Sequence, residues 1–222
     1  MVNTHRYPMP RVRHHVSPQV YLPIGTLSMI PAWYPPLVES PQWQAWFANG
    51  KPANVLDIGC GRGALLLAHA AAHPELNILG LEVRESLVRW INTVVDGERM
   101  PNVRALWYTL ANGLDWIAPS SIHMAMYLFP DPWPKKRHHK RRAFTPHFLS
   151  MIHTVLAPGG CLYLATDRPD VDEYQRAVLA ADPRWTVRDC DDASWPFHQR
   201  TDQQMFCDRK GIPYVRYVAQ RQ

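Results

Sequence analysis

The sequence predicts an α/β fold, a mostly parallel sheet covered by helices on both faces with an antiparallel edge at its C-terminal end. Three observations lead there. From Pro52 onward, short apolar strands alternate with helical segments at the spacing of βαβ units. The first strand, Val55-Leu56-Asp57-Ile58, runs into a glycine-rich turn that opens a helix. Four carboxylates, Asp57, Glu82, Asp131 and Asp167, fall at predicted strand carboxyl ends, where open parallel sheets bind their ligands.

The elements follow in order. Residues 1–50 form an extension rich in Pro, aromatics and base with weak periodicity, in which Gln42 to Phe47 reads as a short helix turning Trp43, Trp46 and Phe47 inward. The segment from Arg6 to Pro18 is either a floppy tail or an extended arm. Residues 51–222 form the main domain. After the strand at 55–58 comes a helix from Ala64 to about Ala72, then a strand from Ile78 to Val83 with Glu82 near its end. A helix from Glu85 to about Glu98 carries Leu87, Val88, Ile91 and Val95 at helical spacing. Strand Val103 to Tyr108, a short helix around Gly113 to Ile117 and strand Ile122 to Phe129 come next. Thr145-Pro146 starts a helix, with Thr as N-cap and Pro at the first helical position. It stops at Pro158-Gly159-Gly160. Strand Cys161 to Ala165, helix Val171 to Ala181, strand Trp185 to Asp189, an irregular stretch and strand Tyr214 to Val218 complete the chain. With no helix expected between them, the last two strands pair antiparallel at one edge.

Charge is distributed unevenly. The formal net charge is +5 over 222 residues, and the run from Lys135 to Arg142 alone holds six Lys or Arg and two His. The first 38 residues carry Arg6, Arg11 and Arg13 and no acid, so the remainder is acidic. A cationic block of one sign on an otherwise acidic protein points to a local polyanion contact. The four cysteines are far apart and form no C-x-x-C pair, which reads as reduced thiols in a cytoplasmic protein. No apolar run reaches the length of a membrane span, and the N-terminus lacks the apolar core of a secretory signal.

Two motifs carry chemistry. DIGCGRG at 57–63 follows a strand and opens a helix, and its glycines Gly59, Gly61 and Gly63 let backbone approach a ligand closely. Asp57 repels a pyrophosphate but suits a cationic amino group or a sulfonium. Glu82 lies where an acid accepts from ribose hydroxyls, a role shared by dinucleotide and S-adenosyl-L-methionine sites alike. The second motif, FPDPWPKKRHHKRRAF at 129–144, places one carboxylate, Asp131, in a proline-bounded turn, then an indole, Trp133, then the cationic run. Trp133 either stacks on a base or packs.

FPDPW followed by KKRHHKRR resembles the signature of the tRNA (guanine-N7-)-methyltransferase family, and RVRHHVSP at 11–18 resembles the N-terminal segment of one branch of it. The resemblance covers roughly residues 52 to 219. It implies a Rossmann-like class I methyltransferase fold, S-adenosyl-L-methionine as cofactor, and methylation of a guanine N7 in the tRNA variable loop. Guanine N7 carries a lone pair and no proton, so the reaction needs no general base, and Asp131 becomes the candidate catalytic residue through stabilisation of the cationic product. The cofactor set is Asp57, Gly59, Gly61, Gly63 and Glu82, with Thr109 or Asn112 against the adenine. Lys135, Asp167, Thr201 and Gln204 line the substrate pocket by resemblance; Gln204 stands where many members carry Glu, which puts its role as acceptor for a guanine amine in question. Arg137, Lys140, Arg141 and Arg142 grip phosphates. No metal and no obligatory protein partner are implied, and the oligomer is a monomer or homodimer. The alternatives are a methyltransferase for another RNA or a small molecule, and a catalytically idle RNA-binding module.

Overall fold

The computed structural model describes residues 4–12, 16–133 and 142–222. It divides into two compact units, Met1–Trp116 and Ile117–Gln222.

The first unit contains helix α1 (Trp43–Trp46), strand β1 (Val55–Ile58), helix α2 (Ala64–Ala72), strand β2 (Ile78–Glu82), helix α3 (Glu85–Gly97) and strand β3 (Val103–Trp107). The strands are parallel in the order β3-β2-β1, with Asp57 level with Gly80 and Glu82 level with Trp107. Strands β1 and β2 are buried along their whole length, as expected of parallel strands covered on both faces. Helix α3 buries Leu87, Val88, Trp90, Ile91, Val94 and Val95, the positions its 3.6-residue period turns to one side. The described part of the N-terminal extension is packed into this unit. Val20, Tyr34 and Phe47 are core residues, the Tyr7 hydroxyl donates to Glu98 at 3.0 Å, and the Trp90 indole donates to the Tyr7 carbonyl at 3.3 Å. Each such buried apolar side chain contributes about 1.5–3 kcal/mol.

The second unit contains strand β4 (Ile122–Leu128), helix α4 (Pro146–Val155), strand β5 (Leu156–Thr166), helix α5 (Pro169–Ala180), strand β6 (Trp185–Asp189), helix α6 (Asp202–Lys210) and strand β7 (Val215–Arg221). Its strand order is β4-β5-β7-β6; β4 and β5 are parallel, and β7 runs antiparallel to both β5 and β6. Thr145 caps α4 by accepting from the Phe148 N–H at 3.1 Å, with Pro146 at the first helical position.

Three local expectations are corrected. A helix, α6, occupies the stretch read as irregular and separates the last two strands. It is short and polar, with only Gln204 and Cys207 buried, so it has no apolar period to detect. The segment after β3 forms a single 3-10 turn at Leu110–Asn112 in place of a helix at 113–117. Strand β5 begins at Leu156, five residues before Cys161, and absorbs the Pro158-Gly159-Gly160 turn through an irregularity in its register with β4 between Ile122 and Met124.

Gly80 sets the spacing between β2 and the turn that follows β1. A Cβ there would lie 2.7 Å from Leu66 Cδ2 and 2.9 Å from Cys60 Sγ. Gly80→Ala is expected to destabilise the protein by about 1–3 kcal/mol through overpacking. Urea denaturation would show it as a lowered midpoint at unchanged slope; an unchanged midpoint would mean that the layer yields freely.

Candidate functional site

In the first unit the site is built at the carboxyl ends of β1 and β2. Asp57 sits one residue before the end of β1 and Glu82 ends β2, and both are almost wholly buried. The turn between β1 and α2 holds Gly59, Gly61 and Gly63 at φ of 75°, 58° and 74°, a left-handed region that side-chain-bearing residues avoid. Beside Gly59 an added Cβ would meet nothing within 4 Å, so a ligand can come up to the backbone there. Gly63 is the α2 N-cap, and an added Cβ there would meet Ile91 Cδ1 at 3.0 Å.

The two carboxylates are managed differently. Glu82 accepts from the Gly61 N–H at 3.0 Å and from the Arg84 N–H at 3.0 Å, and forms a forked pair with the Arg84 guanidinium at 2.8 and 3.2 Å. Burial, reinforced by the neighbouring Glu82 charge, pushes the Asp57 carboxyl up to about 7 from an ordinary 3.8. The same burial, with Asp57 and Glu82 adding to it, raises the Cys60 thiol well above its usual range.

Of the two residues expected after β3, Thr109 is committed inside the protein. Its hydroxyl donates to the Val20 carbonyl at 2.5 Å and accepts from Ala111 N–H at 3.3 Å. The Asn112 carbonyl oxygen accepts from the Ile24 N–H at 2.9 Å and shares the Tyr34 hydroxyl, at 3.0 Å, with the Leu22 carbonyl at 2.6 Å, which fixes the orientation of its amide; among the described residues its buried Nδ2 has no partner. The N-terminal extension therefore supports the 3-10 turn from which this donor projects.

This set fits S-adenosyl-L-methionine. A buried acid that gains from a nearby cation and an open glycine turn are the chemistry that ligand needs, whereas a pyrophosphate would meet Asp57 unfavourably.

In the second unit, Asp131 lies in the exposed turn after β4, and Asp167 directly follows β5. The turn is flanked by two non-glycine residues at positive φ, Phe129 at 50° and Trp133 at 42°. Such conformations cost of order 1–3 kcal/mol each and gather at functional sites. Phe129 is held nonetheless: its N–H donates to the Ala165 carbonyl at 2.8 Å, and its ring meets Tyr214 edge-on at 5.7 Å. Burial, and then the charge of Asp131, raise the Tyr127 phenol above its usual range, which places that carboxylate near the β4 tyrosine. Asp167 accepts from the Gln203 amide of α6 at 3.1 Å.

Thr201 and Gln204 form a capping box at the start of α6. The Thr201 hydroxyl accepts from the Gln204 N–H at 3.0 Å, and the buried Gln204 carbonyl accepts from the Thr201 N–H at 2.9 Å. Either Glu or Gln completes this box. The substitution at 204 thus preserves the cap.

Lys135, Arg137, Lys140 and Arg141, expected on phosphate, lie outside the described residues. Arg142 is described and is buried. Its guanidinium donates to the Pro132 carbonyl and to Asp170. Arg84, Gln203 and Asp170 were not singled out in the sequence. Only Arg84 offered a signal, two residues after a strand-ending acid.

Comparison with known proteins agrees with this geometry. The family model described as "Putative methyltransferase" matches residues 51–205. The fold is shared with a 16S rRNA methyltransferase, KamB, at TM-score 0.58 and 17% identity over 81% of this chain and 91% of that one. A precorrin-6y C5,15-methyltransferase from Geobacter metallireducens gives TM-score 0.54 at 13% identity over 76% and 78%. Fold and site together define a class I methyltransferase that uses S-adenosyl-L-methionine.

The sequence relatives narrow this. A tRNA (guanine-N(7)-)-methyltransferase of Synechococcus elongatus is 33% identical over 223 residues, 96% of this chain and 97% of that protein. One from Alkalilimnicola ehrlichii is 43% identical over 130 residues, 58% of this chain and 55% of that protein. The chain belongs to the tRNA (guanine-N(7)-)-methyltransferase family.

The raised Asp57 carboxyl fixes a pH dependence. Folded Asp57 holds its proton up to about pH 7, whereas the unfolded chain releases it near 3.8. Over that window the native state binds more protons, so this group's contribution to stability falls as pH rises. Asp57→Asn is expected to remove that part of the decline. Denaturation midpoints of the ligand-free protein and the variant, compared between pH 5 and 8, check it; parallel profiles would show that Asp57 does not titrate there.

Proposed function

We propose that this protein transfers a methyl group from S-adenosyl-L-methionine to guanine N7 in the variable loop of tRNA. The observation that carries the reading is the Asp131 turn. A single exposed carboxylate is held between two strained residues at the end of strand β4, and the chain runs from it into a block of six cations.

When bound, S-adenosyl-L-methionine supplies an electrophilic methyl on a cationic sulfur. Asp57 and Glu82 hold the ligand's cationic and ribose groups, and Asn112 offers an amide donor to the adenine. Guanine N7 would form the new N–CH₃ bond with its own lone pair as the S–CH₃ bond breaks and the neutral thioether S-adenosyl-L-homocysteine leaves, so no residue has to remove a proton. The base gains a positive charge, which the Asp131 carboxylate stabilises as it develops, with Asp167 as the second acid on the substrate. Thr201 and Gln204 hold the α6 terminus, from which Gln203 reaches Asp167. Lys135, Arg137, Lys140 and Arg141 neutralise phosphates, which position the tRNA without reading its sequence.

Two further features support the surroundings of this reading. All four cysteines are free, in keeping with a reducing cytoplasm. Among the described residues no helix is long and apolar enough to cross a membrane.

Incubation of the protein with unmodified tRNA and methyl-labelled S-adenosyl-L-methionine is expected to yield 7-methylguanosine confined to the variable loop. Label on another base or on a small acceptor would overturn the substrate assignment. Asp131→Asn keeps the side chain's size and removes its charge. Its single-turnover rate constant on saturating tRNA is expected to fall roughly a hundred- to thousandfold with tRNA affinity retained, by analogy with the loss of a preorganised charge-stabilising contact. A near-normal rate constant would reduce Asp131 to a turn residue.

A further inference from the structure

Arg142 is the last cation of the run, yet it is turned away from solvent. Its side chain is 5% exposed. The Nε–H donates to the Pro132 carbonyl at 3.0 Å, one Nη to the Asp170 carbonyl at 3.3 Å, and the other Nη to the Asp170 carboxylate at 2.5 Å. The guanidinium also lies 5.3 Å from the centre of the Tyr174 ring. A planar fork that engages a carboxylate and two carbonyls at fixed angles is the geometry that arginine supplies and lysine cannot.

The partners of this fork belong to two different pieces of chain. Pro132 follows Asp131 directly and is the last proline of the turn. Asp170 lies in the first turn of α5, and Tyr174 one turn further on. Two residues beyond Arg142, Phe144 is buried and stacks on Tyr127 of β4 at 6.2 Å and on Phe148 of α4 at 5.1 Å. The chain is therefore anchored ahead of the run by the Pro132 carbonyl and at its end by Arg142 and Phe144. Asp170 is in turn held by Arg168 at 3.2 Å.

We propose that Arg142 is a positioning residue: through Pro132 and Asp170 it clamps the Asp131 turn against the N-terminus of α5, and it takes no part in phosphate binding. The inference rests on the methyl-transfer reading above, since it gives the clamp a task. The strained backbone at Phe129 and Trp133 explains why a clamp is needed. Residues at positive φ relax unless the surroundings over-determine them, and relaxation would carry the Asp131 carboxylate away from the base. A displacement of about 1 Å in such a group costs on the order of a hundredfold in rate.

The test compares Asp170→Asn, Arg142→Met and the pair Lys140→Ala with Arg141→Ala in the full-length protein. Asp170→Asn removes no cation and alters a partly exposed side chain, so it keeps the fold available if Arg142→Met fails to fold. Its kcat is expected to fall roughly ten- to a hundredfold, with the KM for tRNA and the affinity for S-adenosyl-L-methionine near wild type. Arg142→Met should lose kcat alike and leave the slope of log affinity for tRNA against log salt unchanged, and the double variant with Asp170→Asn should be no slower. The Lys140 and Arg141 pair should flatten that slope by about one to two instead. A wild-type kcat in Asp170→Asn, or a slope lowered by about one in Arg142→Met, would overturn the clamp and return Arg142 to the phosphate contacts. Either result would leave the methyl-transfer reading standing. That reading fails separately, if the wild-type protein forms no 7-methylguanosine.

Discussion

Two carboxylates buried side by side at the ends of β1 and β2 constrain the first unit more than any other feature. An ionised acid taken out of water costs several kcal/mol unless it is paired, and two together repel. The chain meets that cost in three ways. The Arg84 guanidinium forks onto Glu82, the Gly61 N–H is turned onto the same carboxylate, and Asp57 stays partly protonated near neutrality. The positive φ at Gly59, Gly61 and Gly63 follows from that requirement, because the turn has to bring backbone down to the acids while leaving room beside Gly59. Gly80 lets the strand below come close enough to support it. Such a site gains stability from a cationic ligand, in keeping with the role proposed for it.

The second unit solves a different problem. A carboxylate that must sit exposed and still be fixed cannot rely on burial for its position. The Asp131 turn is held instead by its frame: the Phe129 N–H on β5, the Phe129 ring on Tyr214, and the Arg142 fork on Pro132 and Asp170. Strain in the backbone is kept because these partners over-determine it. Helix α6 contributes through its cap, which seats Gln203 on Asp167.

Much of this was legible in the sequence, for reasons that differ by element. Strands β1 to β4 and helices α2 and α3 have local periods that burial enforces, and their limits fall within a residue or two of the expected ones. Helix α6 was not legible, because DQQMFCDRK has no apolar stripe; its one start signal, Thr201 with Gln204, is expected on the substrate by resemblance, and in the structure it closes a capping box. Arg142 sits in a run whose composition suggests a uniform role. Nothing in KKRHHKRR singles out Arg142, whose partners lie 10 and 28 residues away. Thr109 and Asn112 were equal candidates by spacing. The difference between them comes from Val20, Ile24 and Tyr34, in an extension whose sequence has no period to predict where it packs.

The role proposed for the buried acids of the first unit is to receive a cationic cofactor. Calorimetry of S-adenosyl-L-methionine binding at pH 7, run in buffers of different ionisation enthalpy, tests it directly. With Asp57 poised at about 7, a cation arriving beside it must displace its proton, so binding should release protons from the wild-type protein and fewer from Asp57→Asn. Binding of normal affinity with an enthalpy independent of buffer in the wild-type protein would contradict the account, because the ligand's cation would then lie away from Asp57.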